Sequence, residues 1–137
     1  MPTDAQKLAT SVARLNRRLR QERHSALTAT QLSVLGTVRL MGPCTPSQVA
    51  HRERVSPPSV TRTIGCLVDD GLLLREPHPD DGRQVLVRLS DKGEDVLAEE
   101  RARRDAWLDR RMRDLSADER ALLRKATVLF ERLSDSE

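Results

Sequence analysis

Residues 45–93 read TPSQVAHRERVSPPSVTRTIGCLVDDGLLLREPHPDDGRQVLVRLSDKG. A short helix is predicted to begin at Thr45, because a proline follows this cap residue and a glutamine stands three residues after it. A second short helix begins at Ser56, and a tight connection around Arg54 and Val55 joins the two. Two short helices joined in this way predict a helix-turn-helix, whose second helix enters the major groove of DNA.

A hairpin with a charged tip is predicted directly after the second helix. Its strands are expected over Leu72–Glu76 and Gln84–Leu89, because apolar and polar residues alternate in the second of them and suit one buried face. Pro77 and Pro79 stiffen the base of the loop between the strands and reduce the entropy that docking would cost. After a helix-turn-helix, such a hairpin is interpreted as a wing.

Four further helices are predicted around this motif. The first covers residues 3–23, with Thr3 and Gln6 as a capping box, and the second covers residues 29–41, after Thr28 as its cap. Ser90 is expected to cap a long helix over residues 91–114. Ser116 and Glu119 form a capping box for a last helix that ends near Leu133.

The first and last helices each carry an apolar stripe that the helix-turn-helix does not use. A helix must bury such a stripe, and a two-fold dimer interface is the natural place. The opposite face of the first helix is rich in arginine, and either faces solvent or contacts DNA backbone or a second subunit. The stripes are Leu8, Val12, Leu15 and Leu19, and Leu122, Leu123, Ala126, Leu129, Phe130 and Leu133; the arginines are Arg14, Arg17, Arg18, Arg20 and Arg23.

The predicted fold class is therefore mainly α with a small β-hairpin wing: a winged helix-turn-helix with N- and C-terminal dimerisation helices. We expect a single domain over residues 1–137. Residues 1–23 and 91–137 would form the dimerisation helices, and residues 28–90 the DNA-binding lobe.

Net charge and hydrophobicity indicate which partners the protein can bind and how. The formal net charge is +3, and residues 24–93 hold eight basic side chains against seven acidic ones. DNA affinity must then come from a few placed arginines and helix N-termini rather than from a broad basic face. No apolar run is long enough to span a membrane, and the N-terminus has no signal pattern, so we expect a cytoplasmic protein without a membrane partner.

The second short helix supplies most of the candidate DNA contacts. With Val60 at the centre of its buried face, Ile64 and Leu67 fall beside it, and the opposite face is small and hydroxylic apart from Arg62. An arginine there can pair bidentately with guanine, and Thr61 can touch phosphate or a thymine methyl. The amides at the helix start are expected to suit phosphate.

The wing supplies the remaining candidate contacts. Arg83 is placed where an arginine can enter the minor groove. Asp81 would be repelled by DNA, so we expect it to brace the wing. The full predicted DNA-binding set is Thr45, Ser47, Ser56, Pro58, Ser59, Thr61, Arg62, Arg75 and Arg83.

Other functional classes find little support in the sequence. It has no glycine-rich phosphate loop, nucleophile elbow or metal-ligand cluster, so we expect neither an enzyme nor a metal or cofactor site. His24, His51 and His78 are scattered and are interpreted as surface residues. Cys44 and Cys66 are interpreted as incidental thiols; the alternative is a reactive cysteine, since amides near the helix cap could lower the pKa of Cys44 and Cys66 lies near the outward side of the second short helix.

The sequence resembles the MarR family of bacterial transcriptional regulators along nearly its whole length. The resemblance is carried by Val60-Thr61-Arg62, Leu67, Gly71-Leu72, Arg75, Asp81-Gly82-Arg83 and Leu89-Ser90-Asp91-Lys92-Gly93. It implies a homodimer with interlocking terminal helices, two recognition helices in successive major grooves of a pseudo-palindrome, and wings in the flanking minor grooves. It also implies repression of a nearby gene and release by a small anionic or phenolic ligand.

Two positions depart from the family pattern. Members often have an aspartate where this chain has Gly65, which in them braces the wing arginine, and a basic residue where it has Gly82. The departures predict a looser wing and a shallower salt dependence of DNA binding.

The sequence thus predicts a homodimeric, sequence-specific repressor that binds double-stranded DNA. The alternative is a chromosome-associated protein that binds DNA with low specificity. Release by a small-molecule effector is implied by the resemblance alone.

Overall fold

A computed structural model describes residues 1–22 and 26–136 of the chain. Within them the helices are α1 (Asp4–Gln21), α2 (Ala29–Met41), α3 (Pro46–Glu53), α4 (Pro57–Asp69), α5 (Asp91–Met112) and α6 (Ala117–Ser134). The strands β1 (Leu73–Pro77) and β2 (Val85–Leu89) pair antiparallel, with Leu73 opposite Leu89. The predicted order of helices around one hairpin is confirmed. The structure shows a winged helix-turn-helix formed by α3, α4 and the hairpin.

Four helices begin where the sequence predicts, because a capping box fixes each start. In each, the cap hydroxyl accepts a hydrogen bond from the backbone N–H three residues later, and that residue's side chain accepts one from the cap backbone N–H. The cap residues are Thr3, Thr28, Thr45 and Ser116, which precede α1, α2, α3 and α6.

The predicted boundaries differ from the structure by one or two residues at several ends. Both strands begin one residue later than predicted. The N–H of Leu72 donates to Leu67 O at 2.9 Å and its carbonyl accepts from Ser90 N at 3.1 Å, so Leu72 belongs to the junction after α4. Val87 is fully buried, but Val85 is 40% exposed, so the apolar alternation of β2 extends beyond its buried part. The prediction for Arg23 lies outside the described residues.

The chain divides into two compact units. The central unit comprises residues 26–102, and the terminal-helix unit comprises residues 1–22 and 103–136. The division falls inside α5, because Leu97 in its first half is buried in the core of the central unit. That core joins α2, α3, α4, the hairpin and the start of α5 through Leu32, Val34, Leu35, Val38, Cys44, Val49, Ala50, Val60, Ile64, Leu67, Leu72, Leu73, Val87 and Leu97.

The terminal-helix unit has a different distribution of apolar side chains. Of the described residues in α1 and α6, none is buried. In the predicted stripes, Leu122 is 66% exposed and Leu133 is 62% exposed, whereas Trp107 on α5 is only 9% exposed. The stripes therefore remain uncovered in a single chain.

Candidate nucleic-acid interface

Helix α4 is fixed in the central unit by its buried face. Val60 and Ile64 are each 1% exposed and Leu67 is fully buried, as the spacing of these residues predicts. Helices α2 and α3 and strand β1 pack against α4. The buried face therefore sets which side chains point outward.

The outward face of α4 is small, polar and open to solvent. Thr61 and Arg62 are exposed, as are Pro58 and Ser59 one turn earlier. The hydroxyl of Thr63 donates to Ser59 O at 3.1 Å within the helix. Arginine next to short hydroxylic side chains can approach base edges closely, which is the surface that a recognition helix needs.

The start of α4 offers fewer backbone donors than we predicted. Ser56 is the N-cap, but its hydroxyl makes no capping bond with the backbone and donates instead to the Ser59 hydroxyl at 2.9 Å. Pro57 and Pro58 have no N–H, so Ser59 is the first residue of the helix that has one. This end of α4 therefore offers hydroxyls more than backbone amides as hydrogen-bond donors.

Helix α3 ends in a tight turn that leads into α4. Arg54 has φ 56° and ψ 42°, the left-handed conformation that often ends a helix, and Val55 N donates to Ala50 O at 3.2 Å. At the other end of α3 the Thr45 hydroxyl is engaged by Gln48 N at 3.2 Å, whereas Ser47 is exposed. Of these two predicted contacts, Ser47 is the more available to a ligand.

Glu53, which the sequence analysis did not single out, braces the helix-turn-helix. Its carboxylate accepts hydrogen bonds from the Ser33 hydroxyl at 2.8 Å and from the Thr37 hydroxyl at 2.9 Å. Ser33 and Thr37 lie one turn apart on α2, so Glu53 ties the last residue of α3 to that helix. Contacts across 16 and 20 positions in sequence have no local signal that could have revealed them.

Asp81 holds the tip of the wing through backbone groups. Its carboxylate accepts from Arg83 N at 3.0 Å, and its carbonyl accepts from Gln84 N at 3.0 Å, which closes a turn. The Arg83 side chain is exposed. The wing thus presents an arginine on a loop shaped by its neighbouring aspartate.

Position 65 faces Arg75 rather than the wing tip. A Cβ atom added at Gly65 would lie 3.8 Å from Nη2 of Arg75, which is an ordinary van der Waals distance. An aspartate at this position would therefore stand beside the Arg75 guanidinium. Arg75 is exposed on β1, so the structure places it next to the recognition helix.

The segment from Leu89 to Gly93 locks the hairpin and α5 to the end of α4. The Ser90 hydroxyl donates to Gly71 O at 2.5 Å and accepts from Gly93 N at 3.0 Å. A Cβ atom at position 93 would collide with the Leu72 carbonyl oxygen. The serine and the glycine of this motif are thus required by close packing at the base of the wing.

The two thiols lie in opposite surroundings. Cys44 is buried, and its backbone pairs with that of Val87 through hydrogen bonds of 3.1 and 2.7 Å. Burial raises the pKa of the Cys44 thiol, so the alternative in which nearby amides lower this pKa is wrong. Cys66 is exposed beside the outward face of α4.

Neither a metal-binding group nor a membrane span is found in the part of the chain that the structure describes. No cluster of three or more His, Cys, Asp or Glu side chains is arranged to hold a metal ion there. None of its helices combines the length and the apolar character needed to cross a bilayer. His24 lies outside the described residues, and His51 is exposed on α3.

Comparison with known proteins gives a consistent result. Residues 27–85 match the model of the MarR family. The chain is 45% identical over 132 residues to a helix-turn-helix-type transcriptional regulator of Mycobacterium leprae, which covers 96% of this chain and 92% of that protein. It is 34% identical over 98 residues to the multiple antibiotic resistance protein MarR of Salmonella typhimurium, which covers 71% of this chain and 68% of that protein.

Among solved structures, the crystal structure of a proposed transcriptional regulator from Pseudomonas aeruginosa superposes with a TM-score of 0.85 and 35% identity. The match covers 99% of this chain and 100% of that one. The similarity thus includes the terminal helices as well as the winged helix-turn-helix. This protein belongs to the MarR family of transcriptional regulators and has their DNA-binding fold.

Proposed function

We propose that this protein is a homodimeric repressor that binds a pseudo-palindromic operator in double-stranded DNA. The observation that carries the proposal is the contrast between the two faces of α4. Val60, Ile64 and Leu67 are buried, while Thr61 and Arg62 are exposed on a rigidly held helix. Arg62 would read a guanine in the major groove, and Arg83 would enter the minor groove beside it.

The terminal-helix unit supports the dimer. Leu8, Val12 and Leu15 are 42–47% exposed along one side of α1, and Leu129 and Phe130 are 53% and 40% exposed on α6. A second copy of the chain would cover these stripes in a two-fold interface. Two copies of α4 would then be presented to two half-sites about one helical turn apart.

A cavity in the terminal-helix unit supports release by a small anionic ligand. Its volume is about 530 Å³, and Trp107 lines it together with Ser11, Arg14, Leu15, Arg17, Arg18 and Gln21. The Arg18 guanidinium lies 4.7 Å from the centre of the Trp107 ring. Trp107 Nε1 is buried, and no hydrogen-bond partner for it occurs among the residues that the structure describes. A carboxylate or phenolate bound there would meet arginine side chains and the Trp107 ring.

The experiment that tests the proposal is selection of bound fragments from a random double-stranded DNA pool. The wild-type chain should enrich a pseudo-palindrome, and Arg62→Ala should lose roughly 10- to 100-fold in affinity for it, with relaxed preference at one base pair of each half-site. Arg124→Ala is the matched control, since Arg124 is an exposed arginine on the side of α6 away from its apolar stripe. This control should bind like wild type.

Other outcomes would identify a different function. Strong binding without enrichment of any motif would favour the alternative, a chromosome-associated protein of low specificity. Absence of binding by a folded dimer would contradict DNA recognition by α4. For the ligand, quenching of Trp107 fluorescence by salicylate, used as a probe phenolic acid, should accompany loss of operator binding; quenching that leaves operator binding unchanged would refute release through this cavity.

A further inference from the structure

His78 lies in the wing loop and is bonded to the backbone of that loop. Its Nδ1 atom accepts hydrogen bonds from Asp80 N and Asp81 N, both at 3.1 Å. Its own backbone N–H reaches Gln84 O at 3.4 Å, on the other side of the hairpin. The side chain is half-buried, so the sequence-based interpretation of a plain surface histidine misses these contacts.

These contacts fix the chemical form of the imidazole. A backbone N–H can only donate, so Nδ1 must be the acceptor of both bonds and the ring proton must lie on Nε2. An imidazolium has no acceptor and would turn an N–H toward two N–H groups. The loop geometry therefore requires neutral His78 in its Nε2–H form.

A continuous set of hydrogen bonds leads from His78 to the wing arginine. His78 holds the N–H of Asp81, and the Asp81 carboxylate holds the N–H of Arg83 at 3.0 Å. Pro79 has no N–H, so the amides of Asp80 and Asp81 are the first two donors that the loop offers after the histidine. His78 and Asp81 together determine the path of the backbone that carries Arg83.

We propose that His78 is a positioning residue for DNA binding, which acts by holding the wing loop through its neutral Nδ1 acceptor so that Arg83 is presented in one backbone conformation. The inference rests on the proposed function, because His78 can affect DNA binding only if the wing contacts DNA. Removing the acceptor frees the loop, and DNA binding must then order it again at an entropic cost. His78 itself touches no DNA in this account.

The test compares three substitutions in the full-length chain. His78→Asn places an amide oxygen at the same number of bonds from the backbone as Nδ1, so it keeps the acceptor. His78→Gln places its polar atoms one bond further out, and His78→Ala has none. Operator affinity should stay close to wild type for His78→Asn and fall roughly tenfold for the other two, as expected for two lost hydrogen bonds. His51→Ala, which removes an exposed imidazole from α3, is the control and should bind normally.

A second measurement uses the protein without DNA. Nitrogen chemical shifts of the His78 ring should show the Nε2–H form, and hydrogen exchange at the amides of Asp80 and Asp81 should accelerate in His78→Ala but not in His78→Asn. An Nδ1–H form, or unchanged exchange in His78→Ala, would overturn the inference. So would equal affinity of the asparagine, glutamine and alanine variants for DNA.

The outcomes separate this inference from the proposed function. If wild-type protein binds no DNA, the proposed function fails, and the role of His78 in DNA binding fails with it. If Arg83→Ala weakens binding but His78→Ala does not, the inference about His78 fails alone and the proposed function stands.

Discussion

The central unit and the terminal-helix unit differ in how far their apolar side chains are buried. In the central unit, Leu35, Leu67 and Leu73 have no exposed surface, because helices and the hairpin converge on one core. In the terminal-helix unit, Leu122 and Leu133 are more than 60% exposed, although they lie on a helix of regular amphipathic pattern. The first unit contains its own core, whereas the second leaves apolar stripes exposed that a second copy of the chain would cover in the proposed dimer.

The two units also serve different purposes: one holds the recognition helix, and the other would set the distance between two recognition helices. A recognition helix must be held rigidly, since misplacement of its side chains would weaken base contacts. Burial on one side of α4, together with the Glu53 bonds to α2, provides that rigidity within a single chain. In the proposed dimer, the spacing between the two recognition helices would instead depend on α1 and α6, whose apolar stripes are exposed in a single chain.

Introducing a charge into the open stripe should have the largest effect. In Leu133→Glu, each copy would place an unpaired carboxylate in the proposed interface, at a cost of about 3–5 kcal/mol per copy. We expect sedimentation velocity to show monomers and operator binding to be lost. Leu40→Glu is the matched control, because Leu40 is similarly exposed, at 67%, but lies on α2. A dimeric Leu133→Glu protein would contradict the proposed interface.

A cavity in the core of the central unit should lower the free energy of unfolding nearly as much. Its effect should differ from that of an interface variant in not depending on protein concentration. Leu67→Ala removes a fully buried side chain and should lower the free energy of unfolding by about 2–5 kcal/mol. Because Leu67 lies inside one chain, the loss should not depend on protein concentration, unlike that of an interface variant. Thermal unfolding at several concentrations measures both. If the loss of stability in Leu67→Ala varied with protein concentration, the core of the central unit would not be independent of a second chain.

Alanine substitutions at two glycines of the central unit should change the free energy of unfolding in opposite directions. Gly93→Ala forces a methyl group against the Leu72 carbonyl and should destabilise the fold by about 1–3 kcal/mol. Gly65→Ala meets Arg75 only at 3.8 Å and removes a mid-helix glycine, so it should stabilise by up to about 1 kcal/mol. Urea denaturation distinguishes the two, and equal effects would show that the contact at Leu72 does not matter.

The two thiols should differ in reactivity because one is exposed and the other is buried. Cys66 is exposed on α4 and should react readily with iodoacetamide, whereas Cys44 is buried with a raised pKa and should react only after unfolding. Mass spectrometry of peptides from briefly alkylated protein measures this directly. Rapid labelling of Cys44 in the native protein would mean that the core of the central unit opens easily.

The smallest expected effect is the pH dependence of the α6 cap. Hydrogen bonds from the backbone and side chain of Ser116 hold the pKa of Glu119 below its ordinary value. A lowered pKa in the folded state stabilises the protein above the pKa of the unfolded chain, and this contribution is lost as the pH falls through the folded value. Glu119→Gln keeps the acceptor but cannot titrate, so its thermal stability should fall less between neutral and acidic pH. An identical pH profile for both would rule out this contribution.

Local sequence signals predicted the helix starts well, because a capping box is complete within four residues. They predicted the buried side of α4 for a similar reason, since Val60, Ile64 and Leu67 follow the helical repeat. They did not predict the Glu53 brace or the contacts of His78, which depend on how the chain folds back. Two details also differ from expectation: Pro57 and Pro58 leave fewer amide donors at the start of α4, which the sequence already shows, and burial raises the pKa of Cys44, which depends on packing.

The sequence by itself determined the order of elements, the family and the identity of the outward residues Thr61 and Arg62. The order of elements and the outward residues follow from periodicity, caps and turn residues, which act over a few positions of the chain, whereas the family follows from the resemblance of its motifs. Only the tertiary structure decided that Arg75 faces position 65, that Ser90 and Gly93 lock the wing to α4, and that Cys44 is buried beside Val87. These features join residues far apart in sequence, and their geometry is fixed by close packing of the core rather than by local preference.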